Sequence, residues 1–171
     1  GDEIIAKMRK VTGETVSNGE LMKAASKTIT LGVVANADEM AKLMEIARSK
    51  SRGLHQTTVE TFNQLVDAIN RGTPKALKPL GIDLPSAIDK SISKMGDAEK
   101  KATILGSVLE TEGAKIERLG GVHDTAADKF RRFDVAVGQI KGSLVNLALE
   151  LTPVIELVAR LTRAMADFIN T

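Results

Sequence analysis

The chain contains no cysteine, tryptophan or tyrosine, and its aromatic side chains are four phenylalanines. Without cysteine it offers no disulfide, no thiolate nucleophile and no cysteine-ligated metal site, so the sequence does not indicate a redox compartment. The scarcity of aromatic residues disfavours a sheet, because strands are enriched in aromatic and β-branched side chains. Alanine, leucine, isoleucine, lysine and glutamate are abundant instead, and together they predict an all-α fold.

An excess of charge of either sign is also missing. The 171 residues include 24 lysines and arginines and 22 aspartates and glutamates, which gives a formal net charge of +2. This balance is too even for a dedicated phosphate-binding surface, so we do not expect the chain to bind a specific nucleic acid. Basic residues at 100–101, 118 and 131–132 lack interleaved aromatics and are interpreted as solvated faces, with contact to DNA or to an acidic protein as the alternative.

Long uncharged apolar runs are absent as well. The most apolar stretch, residues 144–169, is interrupted by five charged residues: Glu150, Glu156, Arg160, Arg163 and Asp167. These charges would be expensive in a bilayer, so the stretch is not predicted to span a membrane. With 43% hydrophobic residues the chain is able to bury a core. It begins with Gly1 rather than methionine, and we expect it to be a piece of a longer protein.

Side chains that could carry catalysis are sparse and scattered. His55 follows a predicted helix end, where a cation suits the helix dipole. His123 stands beside Asp124 in a predicted loop before a helix start. Glu110 and Glu112 fall on different faces of one helix, so they do not predict a paired acid and base. No glycine pattern matches a phosphate-binding loop. We therefore expect no catalytic residue, no metal and no cofactor, and we do not expect an enzyme.

Signals for helix starts recur through the first hundred residues. A serine, asparagine or threonine precedes an acid by three residues, as in a capping box, at Ser17 with Glu20, Asn36 with Glu39, Thr57 with Glu60 and Ser86 with Asp89. A glycine marks the expected end of each helix: Gly32, Gly53, Gly72 and Gly96. This punctuation predicts short helices at 18–31, 37–52, 58–71 and 87–95, preceded by one near 2–12.

A longer helix is predicted at 97–119, where it ends at two adjacent glycines. The chain then divides into three expected parts. Residues 1–96 form a bundle of short helices, and residues 97–121 form a single helix. Residues 122–171 form a long heptad-patterned helix that makes the molecule elongated and resembles one strand of a coiled coil.

An apolar stripe near the C-terminus is the most informative pattern in the sequence. Twelve apolar residues repeat at alternating steps of three and four: Phe130, Phe133, Val137, Ile140, Leu144, Leu147, Leu151, Val154, Val158, Leu161, Met165 and Phe168. This spacing makes one straight seam on a supercoiled helix and predicts a self-association seam. With Phe130 at heptad position a, positions e and g start polar and later include the apolar residues Ala148, Ile155, Leu157, Ala164 and Ile169. The stripe widens toward the C-terminus, which favours three or more copies over two.

Pro153 interrupts the predicted long helix and removes the hydrogen bond to the carbonyl of Leu149. Either one helix continues with a kink, or Thr152 caps a new helix with Pro153 at its first position. We favour the kink, because the stripe passes Pro153 without a change of phase. Whether the seam pairs between chains or folds back on the N-terminal helices stays open at this point.

Residues 31–82 combine an alanine-rich helix, a threonine-started helix ending in Arg71 and Gly72, and a Pro-x-x-Leu-x-x-Leu-Gly-Ile closure at 74–82. Downstream come the sequences DAEKKATILGSVLETEGAKI and DTAADKF, followed by the long leucine-rich helix with its internal proline. In composition and in the order of their helices, these stretches resemble the helical segment of tail tape measure proteins of long-tailed bacteriophages and prophages. The resemblance extends over most of the chain, from about residue 31 to residue 169.

The resemblance implies a structural virion protein, of which this chain is one segment. Such a segment lies inside the tail tube, helps set tail length and is released when DNA is ejected. The implied partners are further copies of the chain, the tail tube and tail tip proteins and, in some members, the host membrane. The implied locations are the virion tail lumen and, during assembly, the host cytoplasm. Two other functions stay open: a membrane-active amphipathic helix beyond residue 144, or a coiled-coil adaptor without a phage link.

Overall fold

The structure, a computed structural model, describes residues 1–122, 128, 131–133, 135–139 and 152–169, without the side chains of 152–158. Residues 1–122 contain α1 Asp2–Val11, α2 Asn18–Thr30, α3 Ala37–Leu54, α4 Thr58–Asn70, a 3-10 helix Pro74–Leu80, α5 Ser86–Ile92 and α6 Asp97–Arg118. A C-terminal helix occupies Thr152–Ile169. Every regular element in these described residues is helical, which confirms the all-α prediction. The chain divides into two compact units, Gly1–Arg132 and Phe133–Thr171.

Helices α2 and α4 begin at the predicted capping boxes. In α2 the hydroxyl of Ser17 accepts a hydrogen bond from the Glu20 amide at 3.4 Å, and the Glu20 carboxylate accepts one from the Ser17 amide at 3.1 Å. In α4, Thr57 and Glu60 repeat this arrangement at 3.1 and 2.8 Å. Each box satisfies backbone amides that the first turn of a helix leaves without intrahelical partners.

The other two predicted helix starts differ from a capping box. The side chain of Asn36 accepts from the Glu39 amide at 2.9 Å, but the Glu39 carboxylate accepts from the Ala35 amide at 2.7 Å. Asn36 is therefore a cap without the reciprocal bond to its own amide. The cap predicted at Ser86 is wrong, because Pro85 occupies the capping position and Ser86 is the first residue of α5.

The glycines predicted to end helices divide into two groups. Gly32 and Gly72 follow their helices with left-handed φ values of 63° and 68°, as predicted. Gly53 instead lies inside α3, and His55 takes the left-handed position with φ 54°. Gly96 has φ −69° and caps the start of α6. The predictions for these last two glycines were wrong, because α3 continues past the first and α6 begins directly after the second.

The core of the first unit forms around α3, which packs against α1, α4 and α6. The largest fully buried side chains are Phe62, Met8, Leu21, Met40, Leu43, Met44, Ile46, Leu65, Ile69, Leu77, Ile82 and Ile104. Because α6 contributes Ile104 and Val108 to this core, it belongs to the same unit as the short helices. The units divide after Arg132, whereas the helix punctuation suggested divisions after residues 96 and 121.

The Pro-x-x-Leu-x-x-Leu-Gly-Ile stretch closes one side of this core. Its 3-10 helix, Pro74–Leu80, is followed by Gly81 with a left-handed φ of 69°. The amide of Ile82 donates to the carbonyl of Leu77 at 3.3 Å. Both of these side chains and that of Leu80 are buried. The spacing of the motif thus places its two leucines and its isoleucine in the core.

The second unit is described over 133, 135–139 and 152–169. Residues 135–139 and Thr152–Ile169 are helical. Residues 140–151, on which the continuous long helix and the kink at Pro153 depend, lie outside the described residues, so both stay predictions. Within the described part of the chain, no helix is long and apolar enough to cross a membrane.

Candidate functional site

The predicted seam residues whose side chains are described lie at or near the surface. Phe133 is 67% exposed, and Leu161, Met165 and Phe168 are 57%, 65% and 85% exposed. Val137 is partly exposed. The other predicted seam side chains lie outside those described: Phe130, Ile140, Leu144, Leu147, Leu151, Val154 and Val158. The described members therefore present apolar surface that the chain itself leaves open to solvent.

Four of the exposed apolar side chains share one face of the C-terminal helix. Leu161, Met165, Phe168 and Ile169 are spaced at i, i+4, i+7 and i+8, the spacing of one helical face. Ile169 is 77% exposed and lies at heptad position e, beside the stripe. The exposed face is therefore wider than the a and d positions alone. We call these four residues the C-terminal apolar face.

Large exposed apolar side chains are concentrated in the second unit. Of eight such side chains among the described residues, five belong to Phe133–Thr171 and three, Met22, Ile29 and Leu119, belong to Gly1–Arg132. The first unit is much the larger, yet it buries most of its apolar residues in one core. Contiguous exposed apolar surface is typical of an interaction site. The C-terminal apolar face is therefore the candidate functional surface.

A buried carboxylate connects α6 to α3. The Glu112 side chain is 3% exposed, and its oxygens lie 2.8 Å from Lys50 Nζ and 2.7 Å from Lys115 Nζ. Lys50 Nζ also donates to the carbonyl of Gly81 at 3.0 Å. Burial raises the pKa of the Glu112 carboxyl, but the hydrogen bonds from Lys115 and Lys50 outweigh burial and lower that pKa overall. This cluster stabilises the packing of α3, α6 and the end of the 3-10 helix.

A second charged cluster connects α3 to Asp128, in the segment that follows α6. Asp128 Oδ2 lies 2.8 Å from Arg52 Nη2 and 3.5 Å from Arg48 Nη2. The Arg48 side chain is 6% exposed. Its Nη1 donates to the carbonyl of Val11, the last residue of α1, at 3.1 Å. One buried guanidinium thus contacts two separate parts of the chain.

Sequence reasoning did not single out either cluster. The sequence predicts that Glu110 and Glu112 lie on different faces of one helix, and in the structure Glu110 is exposed whereas Glu112 is buried. The spacing of apolar residues along α6 could have predicted that Glu112 is buried. Glu112 lies four residues from both Val108 and Ile116, so it falls on the buried face of α6. An acid on a buried helix face needs a cationic partner, because an unpaired buried charge is strongly unfavourable.

The two histidines of the sequence do not form a cluster in the described part of the chain. His55 is exposed at the end of α3, and His123 lies outside the described residues. No group of three or more histidines, aspartates or glutamates in the described part of the chain could hold a metal ion. Comparison of the chain with protein-family models, with curated proteins and with solved structures finds no match.

Proposed function

We propose that this chain is a segment of a phage tail tape measure protein. It would lie inside the tail tube, help set tail length and leave the tube when DNA is ejected. The resemblance of residues 31–82 and of the stretches after them is the reason for naming a phage tail. The C-terminal apolar face is the observation that supports assembly, because a structural segment in a tube has neighbours that can cover such a face.

The composition of this face favours identical copies as its cover. The e and g positions beside it are Leu157, Thr162, Ala164 and Ile169, none of which is charged. Copies of the helix can therefore approach without like-charge repulsion. A two-stranded coiled coil buries chiefly a and d, which would leave Ile169 exposed. We therefore propose an assembly of three or more copies.

Sedimentation equilibrium of the full chain tests the assembly. We expect a mass of at least three chains for the wild type and a monomer for Leu161→Asp, because that change places a charge in the seam. Ala166→Asp is the matched control, since Ala166 is exposed at heptad position b, away from the seam. It should leave the mass unchanged. A monomeric wild type, or equal effects of the two variants, would contradict the assembly.

Polymerisation of a tail tube protein around the chain tests the location. Tubes formed in the presence of the chain should contain it in the lumen, where it resists a protease that digests the free chain. The Leu161→Asp variant, which we expect not to assemble, should be excluded from the tube or should occupy it less fully. Empty tubes with the wild-type chain would contradict a tape measure role while leaving self-association intact.

A second candidate function is a membrane-active amphipathic helix. The exposed Arg160 and Arg163 accompany the C-terminal apolar face, a combination typical of helices that lie in a bilayer interface. Leakage of dye from vesicles of anionic lipid tests it. Leakage that is lost in Phe168→Asp but kept in Ala166→Asp would favour this function. Vesicles that stay intact with the wild-type chain would exclude it.

A further inference from the structure

The start of the heptad-patterned segment contacts the helices before it through charged side chains. Asp128 and Arg132 lie four residues apart, and both are helical. With Phe130 at position a, they occupy positions f and c, outside the apolar stripe. Asp128 binds Arg48 and Arg52 of α3, and these contacts join parts of the chain that are 76 or more residues apart.

Arg132 makes a second contact, at the end of α1. Its Nε donates to the carbonyl of Gly13 at 2.6 Å. Gly13 and Glu14 both have left-handed φ values of 60°, which shape the turn after α1. Arg48 donates to the carbonyl of Val11 in the same region. Contacts from α3 and from the heptad-patterned segment therefore converge on the C-terminal end of α1, where backbone carbonyls attract cations.

The described residues at the start of this segment make polar contacts and are not buried in the core. Of the described residues 128 and 131–133, none is buried, and Arg131 and Phe133 are exposed. The Asp128 side chain is 16% exposed and that of Arg52 is 36% exposed, so water and ions have access to the pair. Ion pairs at such depth are weakened by salt, whereas an apolar core is not.

Asp128 also balances the charges of α3. Arg48 and Arg52 are four residues apart on that helix, a spacing at which like charges destabilise a helix. The carboxylate of Asp128 lies within 3.5 Å of a guanidinium nitrogen of each. Removal of this carboxylate would take away a negative charge that both guanidinium groups contact, of which that of Arg48 is largely buried.

We propose that Asp128 and Arg132, bound to Arg48, Arg52 and the carbonyl of Gly13, form an electrostatic latch. The latch holds the start of the heptad-patterned segment on the helical bundle, and it opens when salt or a competing charge replaces these contacts. Because Asp128 and Arg132 lie off the stripe, the latch can hold the segment without using the residues of the seam. This inference does not depend on the proposed phage-tail function.

Amide hydrogen exchange of the full chain tests the latch. In Asp128→Asn, amides at 131–133 should exchange roughly 10- to 100-fold faster, the factor expected for loss of charged hydrogen bonds. Amides of α4 should keep their wild-type rates. Asp128→Glu should retain slow exchange, because it keeps the charge. Raising the salt from about 0.1 M to about 1 M shortens the screening length from about 10 to about 3 Å. In the wild type this change should accelerate exchange at 131–133 as much as Asp128→Asn does.

Asp38→Asn is the matched control. It removes a carboxylate from an exposed pair with Lys7, at 2.8 Å, elsewhere on the bundle. The latch would be overturned if exchange at 131–133 is unchanged in Asp128→Asn or does not respond to salt. Equal acceleration at 131–133 in Asp38→Asn would also overturn it. If Asp128→Asn also accelerates exchange in α4, Arg132→Gln decides, because it removes the contact with Gly13 and leaves the pairs of Asp128 intact. Unchanged exchange at 131–133 in that variant would likewise overturn the proposal.

Discussion

Replacement of Glu112 by glutamine removes one charge from a buried cluster and keeps the shape of the side chain. The Lys115 side chain is 49% exposed, so its bond to Glu112 has the value of a surface pair, about 0.2–1 kcal/mol. The Lys50 side chain is 21% exposed, so its bond to Glu112 contributes a free energy close to that of a charged hydrogen bond, about 1.5–3 kcal/mol. Glutamine retains an acceptor oxygen, and we therefore expect the free energy of unfolding to fall by about 2 kcal/mol.

Urea denaturation followed by circular dichroism at several pH values measures this loss. The pKa of Glu112 is lowered in the folded state, so its charged form stabilises the fold above the ordinary glutamate value of 4.5. That stabilisation disappears as the pH falls through the folded-state pKa. The difference between wild type and Glu112→Gln should therefore be largest at neutral pH and should shrink below the ordinary value.

Glu110→Gln is the matched control for this experiment. Glu110 lies on the same helix and is exposed, so its replacement should change the free energy of unfolding by less than about 0.5 kcal/mol. Equal losses in the two variants would refute the assignment of Glu112 as a buried structural carboxylate. A difference that grows in acid would refute the sign of its pKa shift.

Three further predictions concern the stability of the first unit, and urea denaturation measures all of them. Ser17→Ala should lower the free energy of unfolding by about 1 kcal/mol through loss of a cap, whereas Ser86→Ala should have little effect because Ser86 does not cap α5. Gly72→Ala should destabilise the fold by about 1 kcal/mol, because the φ of Gly72 is +68°. Gly106→Ala should instead stabilise the fold by about 0.5–1 kcal/mol, because Gly106 lies inside α6 and an added methyl group would meet open space. Phe62→Ala should destabilise by about 3–5 kcal/mol, because the side chain is fully buried. The cap at Ser17 would be contradicted if Ser17→Ala is as stable as the wild type, and the left-handed strain at Gly72 if Gly72→Ala is more stable. A loss below about 1 kcal/mol in Phe62→Ala would contradict the burial of that side chain.

Helix boundaries were predictable from the sequence where the responsible contacts are local. The capping boxes of α2 and α4 involve residues three positions apart, so their bonds form within a single turn. Prediction failed where packing or a neighbouring residue intervened. Helix α3 continues past Gly53, and Leu54 packs against the core. Pro85, which precedes Ser86, took the capping position that was assigned to the serine.

The apolar periodicity of the sequence by itself determined which residues share a helical face. It indicated the stripe, and the described members Leu161, Met165 and Phe168 are exposed together. Only the tertiary structure decided which charged residues meet, because that depends on how distant helices pack. Arg52 and Asp128 are 76 residues apart, and no local pattern relates them. The packing of α6 on α3 likewise brings Glu112 to Lys50, since a buried charge is stable only where a partner from another helix reaches it.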